Sequence, residues 1–213
     1  MKDFSRTASS DLPTHFGPFR LVHYNSADLE GVALVRGNPA GAGVLCRIHS
    51  ECMTGEVFGS LRCDCRPQLE LAQERLSRET EGVIVYLRQE GRGIGLGNKI
   101  RAYALQDKGR DTVQANLELG FEADERNYEL AAAILRDLGI TSVRLMTNNP
   151  EKLRGLADAG IRVDEQVPHW AGASSHSEAY LETKRRRMGH ITASPVPAKD
   201  APTSTTSEED KAS

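Results

Sequence analysis

Apolar residues recur along this chain with two periods, and the alternation between them predicts its architecture. Short β-branched runs bounded by Gly, Asn and Pro predict strands over residues 19–24 and 31–35. Residues 44–48 predict a third strand, which leads into a cysteine-rich loop. The run G-V-I-V-Y-L at 82–87 is continuously apolar, as expected of a strand covered on both faces. Residues 142–146 and 161–163 predict the last strands. Between them, Leu69, Ala72 and Leu76 recur at helical spacing and predict a helix over 67–78, with Pro67 suited to its first turn. Ile100, Tyr103 and Ala104 predict an apolar side on a helix over 98–106. Leu130, Ala131, Ile134, Leu135 and Leu138 do the same over 127–138, and a further helix begins near Glu151. Residues 1–15 are polar and read as irregular, and 111–125 as a long connection. Strands alternating with helices from Val44 onward predict an α/β sheet with helices packed on it.

Composition narrows the setting. From about Thr192 to Ser213 the chain turns to Ser, Thr, Pro, Ala and charge. Such a stretch buries too little apolar surface to offset its ordering entropy, so residues 192–213 are expected to be a disordered tail and 1–191 one domain. The net charge of −3 leaves no general nucleic-acid footprint. Residues 1–20 lack the apolar core of a signal peptide, and no apolar run reaches membrane-span length. A cytoplasmic protein that touches neither membrane nor nucleic acid is expected. In that compartment thiols stay reduced, which favours metal binding over disulfides.

Cys52, Cys63 and Cys65 lie in R-I-H-S-E-C-M-T-G-E-V-F-G-S-L-R-C-D-C with spacing C-x10-C-x-C. Three thiolates with an open fourth position suit a catalytic zinc that activates water. A structural zinc closed by His49, or unliganded thiols, fit the same spacing. Cys46, within an apolar run, reads as a small buried hydrophobe. Gly91, Gly93, Gly95 and Gly97 lie between a strand and a helix, where backbone N–H groups can meet an anion or form only a tight loop. Arg92 offers a fork for phosphate, and Glu90 can accept both donors of a guanine edge. Thr147-Asn148-Asn149-Pro150-x-Lys152 suits a phosphate contact, or an N-capped helix with a solvated lysine. Asp124-Glu125-Arg126 could pair an acid/base with a phosphate-facing cation, or simply start a helix. The basic run at 184–187 reads as the solvated face of a C-terminal helix.

Together with R-Q-E-G-R-G-I-G-L, N-K-I-R-A-Y-A-L-Q-D, G-F-E-A-D-E-R-N-Y and T-N-N-P-x-K, the cysteine stretch resembles GTP cyclohydrolase II over roughly residues 12–189. That resemblance implies a mixed β-sheet flanked by helices and a homodimer that uses zinc and Mg2+. It implies opening of the guanine imidazole ring of GTP, with release of formate and pyrophosphate, as the first step of riboflavin synthesis. It implies Cys52, Cys63 and Cys65 as zinc ligands. It implies Arg47, Ile48, His49, Ser50, Glu51, Gln68, Glu90, Gly91, Arg92, Thr112, Thr147 and Lys152 as the positions that hold GTP. Asp124 matches the family's proton acceptor, Arg126 its proposed nucleophile toward the α-phosphate, and Tyr103 a tyrosine near the reacting ring. A guanidinium with a pKa above about 12 is a poor nucleophile at pH 7, so stabilising phosphate charge is the role expected of Arg126. Glu90 and Gln68 are expected to read guanine and reject ATP. One departure from the family pattern is Arg66, which comes after C-D-C where the family has a glycine.

Overall fold

The computed structural model describes residues 4–171, apart from Asp28 and Ala123. The expected tail and the basic run at 184–187 lie outside the described residues. Seven strands form one mixed sheet in the order β1-β2-β3-β5-β4-β6-β7. They are β1 (Ser5–Thr14), β2 (Gly17–Asn25), β3 (Glu30–Arg36), β4 (Val44–Ser50), β5 (Gly82–Leu87), β6 (Ser142–Met146) and β7 (Arg162–Val167). β1 pairs antiparallel with β2, β2 with β3 and β3 with β5, while β4, β5, β6 and β7 run parallel.

The N-terminal segment, expected to be irregular, is an edge strand. β1 pairs with β2 along nearly its whole length, from Ser5 opposite Asn25 to Thr14 opposite Gly17. Residues 5–13 of β1 are solvent-exposed, so no apolar alternation marks it in the sequence. Backbone bonding defines it, helped by Arg6, which reaches Tyr24 and Asp137, and polar edges of this kind resist pairing with other chains.

The helices are α1 (Met53–Glu56), α2 (Cys65–Ser77), α3 (Gly95–Gln106), α4 (Thr112–Glu118), α5 (Glu129–Asp137) and α6 (Pro150–Asp158), with a 3-10 turn over Glu90–Gly93. Strand alternation divides the core. Val44, Cys46 and Ile48 of β4 pack with Val83, Val85 and Leu87 of β5 against Leu130, Ile134, Leu135 and Leu156 of α5 and α6. On the other face Leu45, Ile84 and Met146 pack against Ala72 and Leu76 of α2. Arg47 and His49 share the face of Leu45 but lie nearer the carboxyl ends of the strands. That is where parallel sheets place their ligands.

Two further expectations are corrected. Residues 112–118 of the expected long connection form α4, started by a capping box between Asp111 and Gln114. This helix is too short for an apolar stripe, and Leu117 on it is exposed. On α3 the expected apolar side is reversed: Ile100 and Ala104 are exposed, and Lys99 and Ala102 are buried.

Candidate active site

The cysteine stretch closes on itself directly after β4. Cys52 caps α1, Cys65 begins α2, and Cys63 lies in the loop between them. The Cys52 and Cys63 sulfurs are 3.6 Å apart, and all three sulfurs lie within 4.8 Å of one another. A tetrahedral ion with bonds of about 2.3 Å holds thiolates roughly 3.8 Å apart, so the cluster has the size of a zinc site. Gly55 makes that possible. A Cβ there would stand 2.8 Å from the Cys63 sulfur and 3.3 Å from that of Cys52. Hydrogen bonds from Cys63 and then Cys65 pull the Cys52 thiol well below its ordinary range.

His49 does not complete this cluster. Its Nε2 meets Glu56 Oε1 at 2.7 Å, and Tyr86 donates to Glu56 Oε2 at 2.6 Å. Nε2 therefore carries the hydrogen, and the buried Nδ1 has no hydrogen-bond partner. Burial pushes the His49 pKa down to about 4, so the ring is neutral at pH 7. Cys46 lies in the core on the opposite face, its thiol pushed up to about 12 by burial. Among the described residues, the three cysteines alone form a cluster of metal-ligating groups.

After β5 the chain makes a strained turn. Gly91 and Arg92 both have positive φ, at 65° and 64°, and Arg92 is the non-glycine residue in that region. A non-glycine residue there costs about 1–3 kcal/mol and persists only where its surroundings hold it. The Arg92 carbonyl accepts from the Glu125 N–H at 3.0 Å. Gly93 lies so close that a Cβ would meet the Glu125 backbone at 3.0 Å. The carboxylate of Glu90 turns into the protein. Oε1 accepts from Lys99 Nζ at 2.7 Å and Gly91 N at 2.8 Å, and Oε2 from Met53 N at 2.7 Å.

These loops enclose a cavity of about 630 Å³, within the range of small-molecule sites. Arg47, His49, Ser50, Glu51, Gln68, Glu90, Gly91, Arg92, Tyr103, Thr112, Arg126, Thr147 and Lys152 line it, together with the three cysteines. Ile48 does not: its side chain enters the opposite core, and only its carbonyl serves the site, accepting from Lys152 Nζ at 2.7 Å. The lysine that could have been solvated is thus buried, and Asn149 caps its helix through Glu151 N. Asp124 stands behind the wall and reaches the cavity through Arg126, whose Nε donates to it at 2.8 Å and whose Nη2 completes a second bond. Burial works to raise the Asp124 pKa, but Arg126 outweighs it and holds the carboxyl below its usual range.

Arg47 donates to the Met146 carbonyl at 2.8 Å and to Gln68 Oε1 at 2.6 Å, and Gln68 in turn donates to Asp64 at 2.5 Å. Burial lowers the Arg47 pKa to about 10, and the nearby Arg126 charge adds to that. Buried cations held near one another favour an incoming polyanion. Tyr103, its hydroxyl 3.3 Å from that of Thr54, lies under Arg62 with 4.9 Å between guanidinium and ring centroid.

The sequence reading passed over Lys99 and His169. Lys99 is buried, with Nζ 3.1 Å from the Cys52 sulfur. Its signal was present, since it lies within N-K-I-R one turn after the glycines, but a lysine on a helix reads as solvated. His169 is fully buried, with Nε2 against the Gln68 carbonyl at 2.8 Å and its pKa lowered by burial to about 3. A lone histidine after the last strand carries no sequence signal.

Comparison with known proteins agrees with this geometry. The GTP cyclohydrolase II family matches residues 5–168. GTP cyclohydrolase-2 of Actinobacillus succinogenes is 51% identical over 193 residues, 89% of each chain. Riboflavin biosynthesis protein RibBA of Bacillus cereus is 53% identical over 190 residues, 88% of this chain and 48% of its own length. The monofunctional riboflavin biosynthesis protein RIBA 3, chloroplastic, of Arabidopsis thaliana is 52% identical over 190 residues, 87% of this chain and 37% of its own length. This chain thus spans about half or less of those longer relatives. With the matched segment covering the sheet, the cysteine cluster and the cavity together, the chain belongs to the GTP cyclohydrolase II family.

Proposed function

We propose that this protein hydrolyses GTP to 2,5-diamino-6-ribosylamino-4(3H)-pyrimidinone 5′-phosphate, formate and pyrophosphate, as the first step of riboflavin synthesis in the cytoplasm. The observation that carries the reading is a soft three-thiol cluster opening onto a nucleotide-sized cavity lined by Arg47, Arg92, Arg126 and Lys152. Cys52, Cys63 and Cys65 would hold one zinc, and the metal supplies a Lewis acid and an activated water for attack on the guanine C8 carbon. Mg2+, a hard cation, would ride with the triphosphate oxygens.

The protein's own residues bind and orient. Arg47, Arg92 and Lys152 draw the triphosphate into a low-dielectric cavity, where each contact is stronger than in water. Thr112 and Thr147 offer hydroxyls to phosphate oxygens. Arg126 is held as a cation by its two bonds to Asp124, which supports charge stabilisation at the α-phosphate in place of nucleophilic attack. Asp124 keeps one lone-pair site on Oδ2 beside these bonds, so it can accept a proton with Arg126 still in place. Tyr103 and Thr54 place hydroxyls beside the thiol cluster for the ring-opening step. Glu90 has one lone-pair site left on Oε2, and Gln68 is spanned by Arg47 and Asp64. With that one site Glu90 can accept a single guanine donor, not the two expected of it, because its other lone pairs serve Lys99, Gly91 and Met53. The chain would act as a homodimer, with Val57, Phe58 and Leu61, close together in sequence and more than half exposed, as the apolar segment offered to a partner.

The test is incubation of the purified chain with GTP, zinc and Mg2+, measuring formate and pyrophosphate together. Equal yields of both are expected. Pyrophosphate without formate, or a formamide product that accumulates, would overturn the full reaction. Sedimentation of the same sample should give twice the chain mass of 23.3 kDa.

A further inference from the structure

We infer that Lys99 is a positioning residue of the thiol cluster, its ammonium donating to the Cys52 sulfur and thereby setting the charge and donor strength of the metal site. The inference rests on the reading that the three cysteines hold zinc, and it concerns a residue to which that reading gives no role.

Lys99 lies on the first turns of α3 with its side chain 11% exposed. Burying an ammonium is costly unless it is paired and hydrogen-bonded. Two of its donors are accounted for by Cys52 Sγ at 3.1 Å and Glu90 Oε1 at 2.7 Å, and the Tyr103 ring centroid stands 5.7 Å away. The stem passes against Gly91, where a Cβ would approach Lys99 Cβ to 3.0 Å. The glycine at this positive-φ position leaves room for the lysine stem. Glu90 Oε2 also accepts from the N–H of Met53, the residue next to Cys52. The ammonium and carboxylate therefore hold both the sulfur and the backbone of the Cys52 turn against the start of α3.

Charge gives this arrangement its consequence. A dication on three thiolates carries one net negative charge, and the adjoining Glu90 adds a second. The ammonium removes one of these two. Its N–H···S bond also draws density from a sulfur lone pair, which weakens that donor and leaves the metal more electrophilic. Groups just outside a metal's ligand set act in this way, commonly changing affinity or activity 10–100-fold when removed.

The experiment uses the full chain loaded with Co2+, whose thiolate-to-metal charge-transfer band reports sulfur donor energy. Wild type is expected to show the band. Lys99→Met keeps the apolar stem and removes the donor, so its band should move to longer wavelength. Its kcat should fall about 10–100-fold, a larger change than any in KM for GTP. Lys99→Arg restores a donor and should return the band toward its wild-type position. An unmoved band in Lys99→Met, or an Arg variant displaced as far as the Met variant, overturns the inference. Should Lys99→Met fail to fold, Glu90→Gln supplies the reading: freed of its carboxylate partner, the ammonium commits to sulfur and the band moves to shorter wavelength. A band unmoved there overturns the inference as well. Absence of any thiolate band in the wild type removes the zinc reading and this inference together, whereas a band present but indifferent to Lys99 removes this inference alone.

Discussion

Gly55 shows how much a single position decides. The three sulfurs close around the space where its side chain would be, with Cys63 Sγ 2.8 Å from an ideal Cβ. Gly55→Ala should leave the sheet intact but spread the cluster. Bound zinc, measured by elemental analysis after dialysis, is expected to fall well below one per chain. Full zinc retention in that variant would show that the loop relaxes at little cost. Arg126 decides at the other end of the cavity. Removing a preorganised charge donor typically costs about 10²–10³-fold in rate, and Arg126→Ala should lose that much pyrophosphate release. Ring opening, at the thiol cluster, is expected to survive in part. If both products stop completely, phosphate cleavage precedes ring opening and the charge-stabilising role is wrong.

At the scale of elements, the site is built from the segments at the carboxyl ends of three parallel strands. The cysteine stretch leaves β4, the strained Gly91-Arg92 turn leaves β5, and Thr147-Asn148-Asn149 leaves β6. Helix α4 brings Thr112 to the cavity, and its start depends on Asp111, whose carboxylate accepts from Val113 N and Gln114 N at 2.9 Å each. Losing such a cap costs about 1 kcal/mol. Asp111→Ala should therefore lower the melting temperature by about 2–4 °C and raise KM for GTP while kcat changes little. A KM unchanged within error would mean that Thr112 makes no contact with substrate.

The whole molecule should respond to acid through its two buried histidines. His49 and His169 have native pKa values lowered to about 4 and about 3, against about 6.5 when unfolded. Below pH 6.5 the unfolded chain therefore binds protons that the native chain refuses, and stability falls with pH down to about pH 4 for His49 and about pH 3 for His169. Each histidine contributes a slope of about 1.4 kcal/mol per pH unit in that window and nothing above it. Urea midpoints compared at pH 7 and pH 5 should show this loss, and His169→Gln should remove close to half of it. An identical pH slope in the variant would place the acid sensitivity elsewhere.

Sequence alone determined the elements whose signal is local. The continuous apolar β5, the α5 stripe through Leu130, Ile134 and Leu135, and the thiol spacing of Cys52, Cys63 and Cys65 each depend on residues near one another in the chain. Tertiary structure decided whatever depends on partners far away. β1 is a strand because β2 lies beside it, since its own exposed side chains contribute no pattern. Lys99 is buried, and Ile100 exposed, because a carboxylate from another loop and a sulfur from a third give the ammonium better partners than water. His49 is kept out of the thiol cluster because Glu56 and Tyr86 hold its ring, and Ile48 leaves the cavity because strand alternation turns it into the opposite core. Periodicity reports which face a side chain takes, but the energy of burying a charge is set by the partners it meets there.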